Sequence, residues 1–463
     1  MKIIHTIICA AACTNLVSSA TLQKALETRI EKEGKSQVII TFRDRIREGR
    51  LNSLRSPQEV KRTLMAQFEL SMEPFNNLLR TQGTDSTRVL DKFWAANAVY
   101  VEMDHELIRE FAVHKDVEDI SLDERISLPI LPPNPMDDEA QPPEEKKWTY
   151  GLKMMKVDEV RSAYTLTGKG ITVGVIDSGI DGNHPDLKDK VVGWVDFAEL
   201  KEQPEDTNGH GTHVAGTIAG GSASGTHVGV APEAKLLVAR IFGDSGFTAK
   251  SIILKAMNWM TDPDGDPNTN DQPRIVSNSW GGSSMWYIIE RPYWNIVKSW
   301  RALNMLPVFA AGNSGPKKKT MSSPGSFPHS YSVGAVDSSR EIASFSSRGP
   351  VSWFFKKYIK PDVSGPGVSV LSTWPGGGYK KLSGTSMATP HISGLAALIL
   401  QSNPSLKAAQ IEGIINNTST DEGESGMDSF FGHGIANAKA AIDMVKSGKQ
   451  GKSQSTQFEE LYR

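Results

Sequence analysis

Apolar positions follow two different rhythms along the chain. Between Gln37 and Leu128, Val38, Ile39, Ile40 and Phe42 form a short strand-like run, and Val60, Leu64, Phe68 and Met72 recur at helical spacing. Ala98, Tyr100 and Glu102 alternate with Val99, Val101 and Met103, as in a half-buried strand. Glu106 to His114 predicts a second helix and Val117 to Ile126 a closing strand. These elements predict an α+β unit, a small sheet backed by two helices. From Trp148 the rhythm changes. Ile171 to Ile176 is a nearly pure aliphatic run, suited to a strand buried on both faces. Leu236 to Ile241, Ile275 to Val276, Leu306 to Ala310 and Tyr331 to Val336 repeat it, with helical candidates at Ala249 to Met260 and Pro292 to Asn304. This alternation predicts an α/β unit with a mainly parallel sheet covered by helices on both sides.

Residues 129–147, PILPPNPMDDEAQPPEEKK, separate the two units. Pro, Asp and Glu dominate there, so the segment reads as a solvated linker, open to a protease. The first 20 residues place one Lys before the apolar run Ile3 to Ala12 and end in small residues at Ala20, the pattern of a secretory signal peptide. Both cysteines, Cys9 and Cys13, lie inside it, which excludes a disulfide-stapled scaffold. Lipid attachment at Cys13 is a minor alternative. The last residues, 447–463, form a polar tail. The whole chain of 463 residues carries a net charge of −2, with no basic excess that calls for nucleic acid. That balance divides unevenly: 21–147 is mildly acidic, with 19 Lys/Arg against 24 Asp/Glu, and 148–463 is mildly basic, with 31 against 29. Opposite signs are compatible with docking.

Four segments carry candidate chemistry. ITVGVIDSGIDGNHPDL places Asp177 just past a buried strand, and NGHGTHVAGTIAG places His210 at the start of a helix. PVFAAGNSGP puts Asn313 after a strand, and LSGTSMATPHISGLAALIL puts Ser386 where a turn runs into a helix. A serine hydroxyl needs a base to become a nucleophile. A histidine serves near neutral pH, and a carboxylate fixes its tautomer. An amide such as Asn313, with the Ser386 backbone N–H, suits the oxyanion of a tetrahedral intermediate. Gly384 allows a sharp turn beneath Ser386, and Pro390 is expected within the first helical turn. The chain order Asp, His, Ser and the string GTSMA exclude an α/β-hydrolase, which needs G-x-S-x-G and the order Ser, Asp, His. His210 and His213 lack the spacing and the adjacent Glu of a zinc helix, so His213 reads as a core residue.

DSGID, HGTHVAG, AAGNSGP and GTSMATPH together resemble the subtilisin-like serine proteases over about Trp148 to Val445, with DPDGDPNTNDQP and NSWGG most similar to the bacillopeptidase F-like branch. The resemblance implies a subtilisin-like three-layer α/β/α fold with a small ferredoxin-like α+β prosegment. It implies Asp177 as orienting carboxylate, His210 as general base and acid, Ser386 as nucleophile and Asn313 as oxyanion donor. The implied organisation is a signal peptide at 1–20, an inhibitor-like prosegment at 21–128, the linker at 129–147, a catalytic domain at 148–446 and the tail. The resemblance further implies that the prosegment assists folding, caps the cleft and is removed by self-cleavage somewhere between Ile126 and Lys147.

Ser279, Trp280 and Gly281 match one wall of the primary substrate pocket, and Ala310, Ala311 and Gly312 the other. Small wall residues leave room for a large side chain, and no Asp or Glu lies in either wall to select Arg or Lys. Trp280 either reshapes the neighbouring pocket or packs inward. No cofactor is required for the chemistry, but structural Ca²⁺ is a candidate at two places. Asp186 matches a calcium-ligating carboxylate of many relatives, although Ala223 stands where the partnering loop usually has Asn. Asp262, Asp264, Asp266 and Asn268 alternate along an oxygen-rich loop. The expected partners are protein and peptide substrates and the chain's own prosegment, with the enzyme a secreted monomer. The competing reading is a catalytically silent binding protein on the same fold, which would have lost one of the four residues. Asn416 and Asn417 in INNTST are glycosylation acceptors in a eukaryotic secretory host.

Overall fold

The computed structural model describes residues 34–448, apart from 44–45, 47, 83–86, 134–146, 284–289 and 354–355. Residues 1–20, expected to be a signal peptide and holding Cys9 and Cys13, most of the expected linker and the tail from 449 lie outside the described residues.

The N-terminal unit runs β1 (Lys35–Phe42), α1 (Pro57–Gln82), β2 (Thr87–Phe93), β3 (Ala98–Asp104), α2 (His105–Ala112) and β4 (Val117–Leu122). Its sheet is antiparallel, in the order β2-β3-β1-β4, which with this element order is a ferredoxin-like arrangement. β1 is apolar on both faces for a reason. Val38, Ile40 and Phe42 join the unit's own core with Phe68, Met72 and Phe75, while Ile39 joins a cluster shared with the larger unit. The closing strand is not continuous to Ile126. It stops at Leu122, and Arg125–Ser127 (β5) leaves the sheet to pair elsewhere.

In the larger unit, β6 (Thr172–Asp177), β7 (Val191–Asp196), β8 (Lys235–Arg240), β10 (Ile275–Asn278), β11 (Leu306–Ala310), β12 (Tyr331–Val336) and β13 (Val363–Pro366) form a parallel seven-stranded sheet. The short β9 (Phe247–Ala249) lies outside it and pairs antiparallel with β5. The sheet order is β13-β12-β11-β10-β6-β8-β7. Helices α3 (His210–Ala219), α4 (Lys250–Trp259), α5 (Arg291–Ala302) and α6 (Thr385–Ser402) supply the outer layers. Alternation along the strands sorts the faces. Val173, Val175, Leu236 and Val238 share a cluster with Val214 and Ile218 of α3 and Leu395 and Ile399 of α6. Ile176, Leu237 and Ala239 share another with Ile253 and Met257 of α4 and Ile296 and Trp300 of α5. The result is a three-layer α/β/α unit, with β6 and α6 central to it. Asp177 is the last residue of β6, so its side chain emerges at the carboxyl edge where open parallel sheets bind ligands.

Candidate active site

Asp177 and His210 meet at that edge. His210 Nδ1 and Asp177 Oδ1 lie 2.7 Å apart, and both residues are buried. The same carboxylate oxygen accepts the Ser178 N–H at 2.7 Å. Burial works against an imidazolium at His210, yet the charge and hydrogen bond of Asp177, with Asp206 adding, raise its pKa above the ordinary value. Asp177 therefore both fixes the ring and strengthens it as a base.

The helix that carries His210 is positioned by Asp206, which motif reading did not single out. Asp206 Oδ1 accepts from Ser178 Oγ and from the backbone N–H groups of Asn208 and Gly209, and Oδ2 accepts from Thr212 N and Oγ1. The turn before α3 needs glycine twice. Gly209 has φ +94°, and a Cβ on Gly211 would stand 2.2 Å from the Gly179 carbonyl. His213, one turn on, is a core residue: its Nε2 bonds the carbonyls of Val370 and Lys380, and burial lowers its pKa to about 3.

Ser386 is the second residue of α6 and is buried. Its hydroxyl donates to the Ser279 carbonyl at 3.1 Å, while Ser279 Oγ donates to the Ser386 carbonyl at 2.9 Å. Pro390 explains the second bond. It lies in the second turn of α6 rather than the first, so the Ser386 carbonyl lacks its i+4 N–H, and the Ser279 hydroxyl replaces that donor. Among the described residues, His210 Nε2 is buried without a hydrogen-bond partner, as is Asp177 Oδ2. Thus Asp177 and His210 are joined, and Ser386 is held by Ser279. Base–nucleophile bonds of this kind commonly tighten only with substrate in place.

Asn313 is fixed from behind. Its Oδ1 accepts from Thr385 N at 3.0 Å and Thr385 Oγ1 at 2.9 Å, so Nδ2 faces the cleft. There Nδ2 donates to the Ile130 carbonyl at 3.4 Å. The chain arrives at that point through the β5–β9 pairing and a bond from Leu128 N to the Gly246 carbonyl at 2.9 Å. Leu131 packs against the core beside Gly384. The polypeptide after the N-terminal unit thus runs through the cleft as an added strand.

Ser279, Trp280 and Gly281 follow β10, and Ala310, Ala311 and Gly312 end or follow β11, an adjacent strand. Trp280 packs inward: it is buried, with its ring edge-on to Tyr293 and Phe309.

The two candidate calcium sites differ from the sequence expectation. Asp186 Oδ1 accepts from Ala223 N at 2.6 Å and Oδ2 from the Tyr379 hydroxyl at 2.8 Å. Carbonyl oxygens at the two ends of the 220–229 loop serve cationic side chains. Arg161 donates to Gly229 and Val230, and Lys190 to Ala219 and Pro232. Both Asp186 oxygens thus already accept hydrogen bonds from protein donors. In the acidic loop, alternation along the chain is not convergence in space. Asp262, Asp264 and Asp271 cluster, whereas Asp266 turns away to accept from Asn268, and Asn268 accepts from Arg62.

The Subtilase family model matches residues 168–434. Among curated proteins, the chain is 29% identical to Bacillopeptidase F of Bacillus subtilis (strain 168), over 92% of this chain and 32% of that protein. It is 37% identical to Serine protease AprX of the same strain, over 61% of this chain and 68% of the relative. It is also 37% identical to Subtilisin DY of Bacillus licheniformis, over 63% of this chain and 97% of the relative. The chain therefore spans about a third of the length of Bacillopeptidase F and nearly all of Subtilisin DY.

Proposed function

The chain belongs to the subtilase family and is a subtilisin-like serine endopeptidase, and from that premise we propose that it is a secreted zymogen that matures by cutting its own linker. Ser386 is the nucleophile, His210 the general base and acid, Asp177 the orienting carboxylate and Asn313 the oxyanion donor. The observation that carries this reading is the Ile130 carbonyl lying before an Asn313 amide that Thr385 orients, on the edge where Asp177 holds His210.

The steps follow from these positions. The Ser386 hydroxyl turns from the Ser279 carbonyl toward His210 Nε2, gives up its proton there and attacks the carbonyl carbon. Asn313 Nδ2 stabilises the oxyanion that forms. The imidazolium, steadied by Asp177, passes its proton to the departing amine, which leaves an acyl-enzyme ester. Water then repeats the sequence and releases the acid.

The same contacts support Ile130–Leu131 as the first bond cut. The Ile130 side chain is 89% exposed, so that cut draws on strand pairing at 125–128 rather than on a filled pocket. Tethering supplies the positioning that a free substrate would need pocket contacts to achieve. Free substrates are proposed to carry large apolar or aromatic residues before the cut, because Ala310, Ala311 and Gly312 leave space and the wall segments SNSWGG and AAGNSGP contain no Asp or Glu. Residues 21–128 act as inhibitor and folding aid, and residues 1–20 direct export.

N-terminal sequencing of secreted wild type and Ser386→Ala tests this. Wild type is expected to begin at Leu131 or at a later trimmed residue, and purified Ser386→Ala to stay uncut. Correct processing of purified Ser386→Ala alone overturns self-cleavage. A strict preference of the mature enzyme for basic residues in a peptide library overturns the pocket assignment.

A further inference from the structure

The contact between the two units holds a buried cation that peptide hydrolysis does not use. Lys61 of α1 has no exposed surface. Its ammonium lies 2.6 Å from Asp262 Oδ1, 2.8 Å from Asp271 Oδ1 and 3.5 Å from the Thr269 carbonyl. Asp264 completes the cluster: one oxygen each from Asp262, Asp264 and Asp271 lies within 4.8 Å of the others. Every oxygen belongs to the 262–271 loop of the larger unit, whereas the cation belongs to the N-terminal unit. The loop is thus a site already holding a cation, and another part of the chain supplies that cation. Burial, with the charges of Asp271 and Asp264, pushes Asp262 upward in pKa against the pull of Lys61. Asp271, also partly desolvated, is lowered by its bonds from Lys61 and the Asp264 N–H. One ammonium balances three carboxylates incompletely.

We propose that the 262–271 loop is a cation-exchange site, in which the Lys61 ammonium and Ca²⁺ are mutually exclusive ligands of the same oxygens. Lys61 fills the site while the N-terminal unit is docked, and Ca²⁺ enters when that unit leaves. The donor set is all oxygen, mostly carboxylate, on a turn-rich loop, which suits a hard cation of flexible coordination. An ammonium at hydrogen-bond distance from two of these oxygens occupies the volume a metal ion needs. Linkage is reciprocal, so Ca²⁺ weakens docking by the factor by which docking weakens Ca²⁺ binding. Only this consequence, calcium-assisted release, rests on reading the N-terminal unit as removable. The competition itself does not require cleavage.

The test uses the full chain carrying Ser386→Ala, titrated with CaCl₂ by calorimetry, with MgCl₂ as comparison. Adding Lys61→Met is expected to tighten Ca²⁺ binding at least tenfold, and adding Asp271→Asn as well to remove the gain. A folded Lys61→Met chain with unchanged Ca²⁺ affinity overturns the proposal. If Lys61→Met does not fold, the catalytic unit freed by its own cleavage or by trypsin is melted with CaCl₂ and with EDTA. A chelator-reversible rise in Tm that Asp271→Asn abolishes is expected. No rise, or one that survives Asp271→Asn, overturns the proposal. Failure of self-processing would count against the zymogen reading alone, since the titrated chain is never cut.

Discussion

The active site and the contact between the two units are both built from buried polar groups, but these take their partners from opposite sources. At the active site the partners belong to the same unit: Asp206 holds the turn before His210, Thr385 holds Asn313, and Ser279 holds Ser386. At the contact they come from the other unit. Asn258 Oδ1 accepts from Ala95 N, Ser299 Oγ donates to the Ala95 carbonyl, and Asn295 Nδ2 donates to the Ala96 carbonyl. Asp123 likewise receives Ser251 N and Oγ at the start of α4. Groups satisfied within one unit survive separation of the two, whereas groups satisfied across the contact must find water or an ion. On the proposed function, the first set marks the machinery and the second marks the docked state.

Asn313→Ala breaks the comparison at its strongest point. Removing one oxyanion donor costs about 10²–10³ in kcat. KM is expected to change little, because the bond strengthens as negative charge develops. Steady-state kinetics of the mature enzyme on a peptide substrate measures this, and a kcat within threefold of wild type would remove Asn313 from the proposed role. Thr385→Val is expected to show part of the same loss, since it frees the Asn313 amide without deleting it.

The places of Asp177, His210, Asn313 and Ser386 in the fold, at strand ends or helix starts, were legible in the sequence because each lies inside a string that few structural needs produce. Asp206 and Thr385 were not, nor was the bond from Ser279 to Ser386, since such side-chain bonds carry no periodicity and the last two join segments far apart along the chain. Strands were legible where both faces are aliphatic, as at Ile171 to Ile176. β2 (TRVLDKF) and β13 (VSGP) escaped because their apolar content is too low or too short to stand out. The break between β4 and β5 was beyond sequence reading for another reason: a run of strand-forming residues does not say which sheet it joins. Pairing of Arg125–Ser127 with Phe247–Ala249 is a tertiary fact.

Asn258→Ala sharpens the comparison from the other side, with a smaller effect. It leaves the Ala95 N–H without its partner, at a cost of about 1–3 kcal/mol while that group stays buried. If the N-terminal unit must leave before activity appears, the lag shortens by about tenfold for each 1.4 kcal/mol removed. The kcat of the mature enzyme should not change, because Asn258 touches none of the active-site groups. Progress curves from freshly purified full chain give both quantities at once. Asp206→Asn should do the reverse, lowering kcat without shortening the lag, and a shortened lag with unchanged kcat in both variants would dissolve the distinction.

The smallest effect is one of pH, and it pulls the two units in opposite directions. His213 and His391 are buried neutral in the catalytic unit, with pKa values lowered by burial to about 3 and about 4. Their unfolded forms bind protons first as pH falls, so the stability they contribute is complete above about 6.5 and is lost toward pH 4 and below. In the N-terminal unit, burial raises the Asp119 carboxyl to about 6, against the pull of Lys250 and Arg291. Its contribution has the opposite sign: present below the ordinary Asp value and lost as pH rises through about 6. Acid should therefore loosen the catalytic unit before the N-terminal unit. Hydrogen exchange on the full Ser386→Ala chain at pH 7.5, 5.5 and 4.5 reads this directly. Amides of α3 and α6 are expected to lose protection first, and β1 and β3 to keep theirs. Activity adds a separate acid limb. The raised pKa of His210 keeps its base form scarce below a pH above the ordinary imidazole value, so kcat/KM should fall before the fold does. An activity limb that coincided with loss of protection in α3 would mean that unfolding, not His210, sets the acid limit.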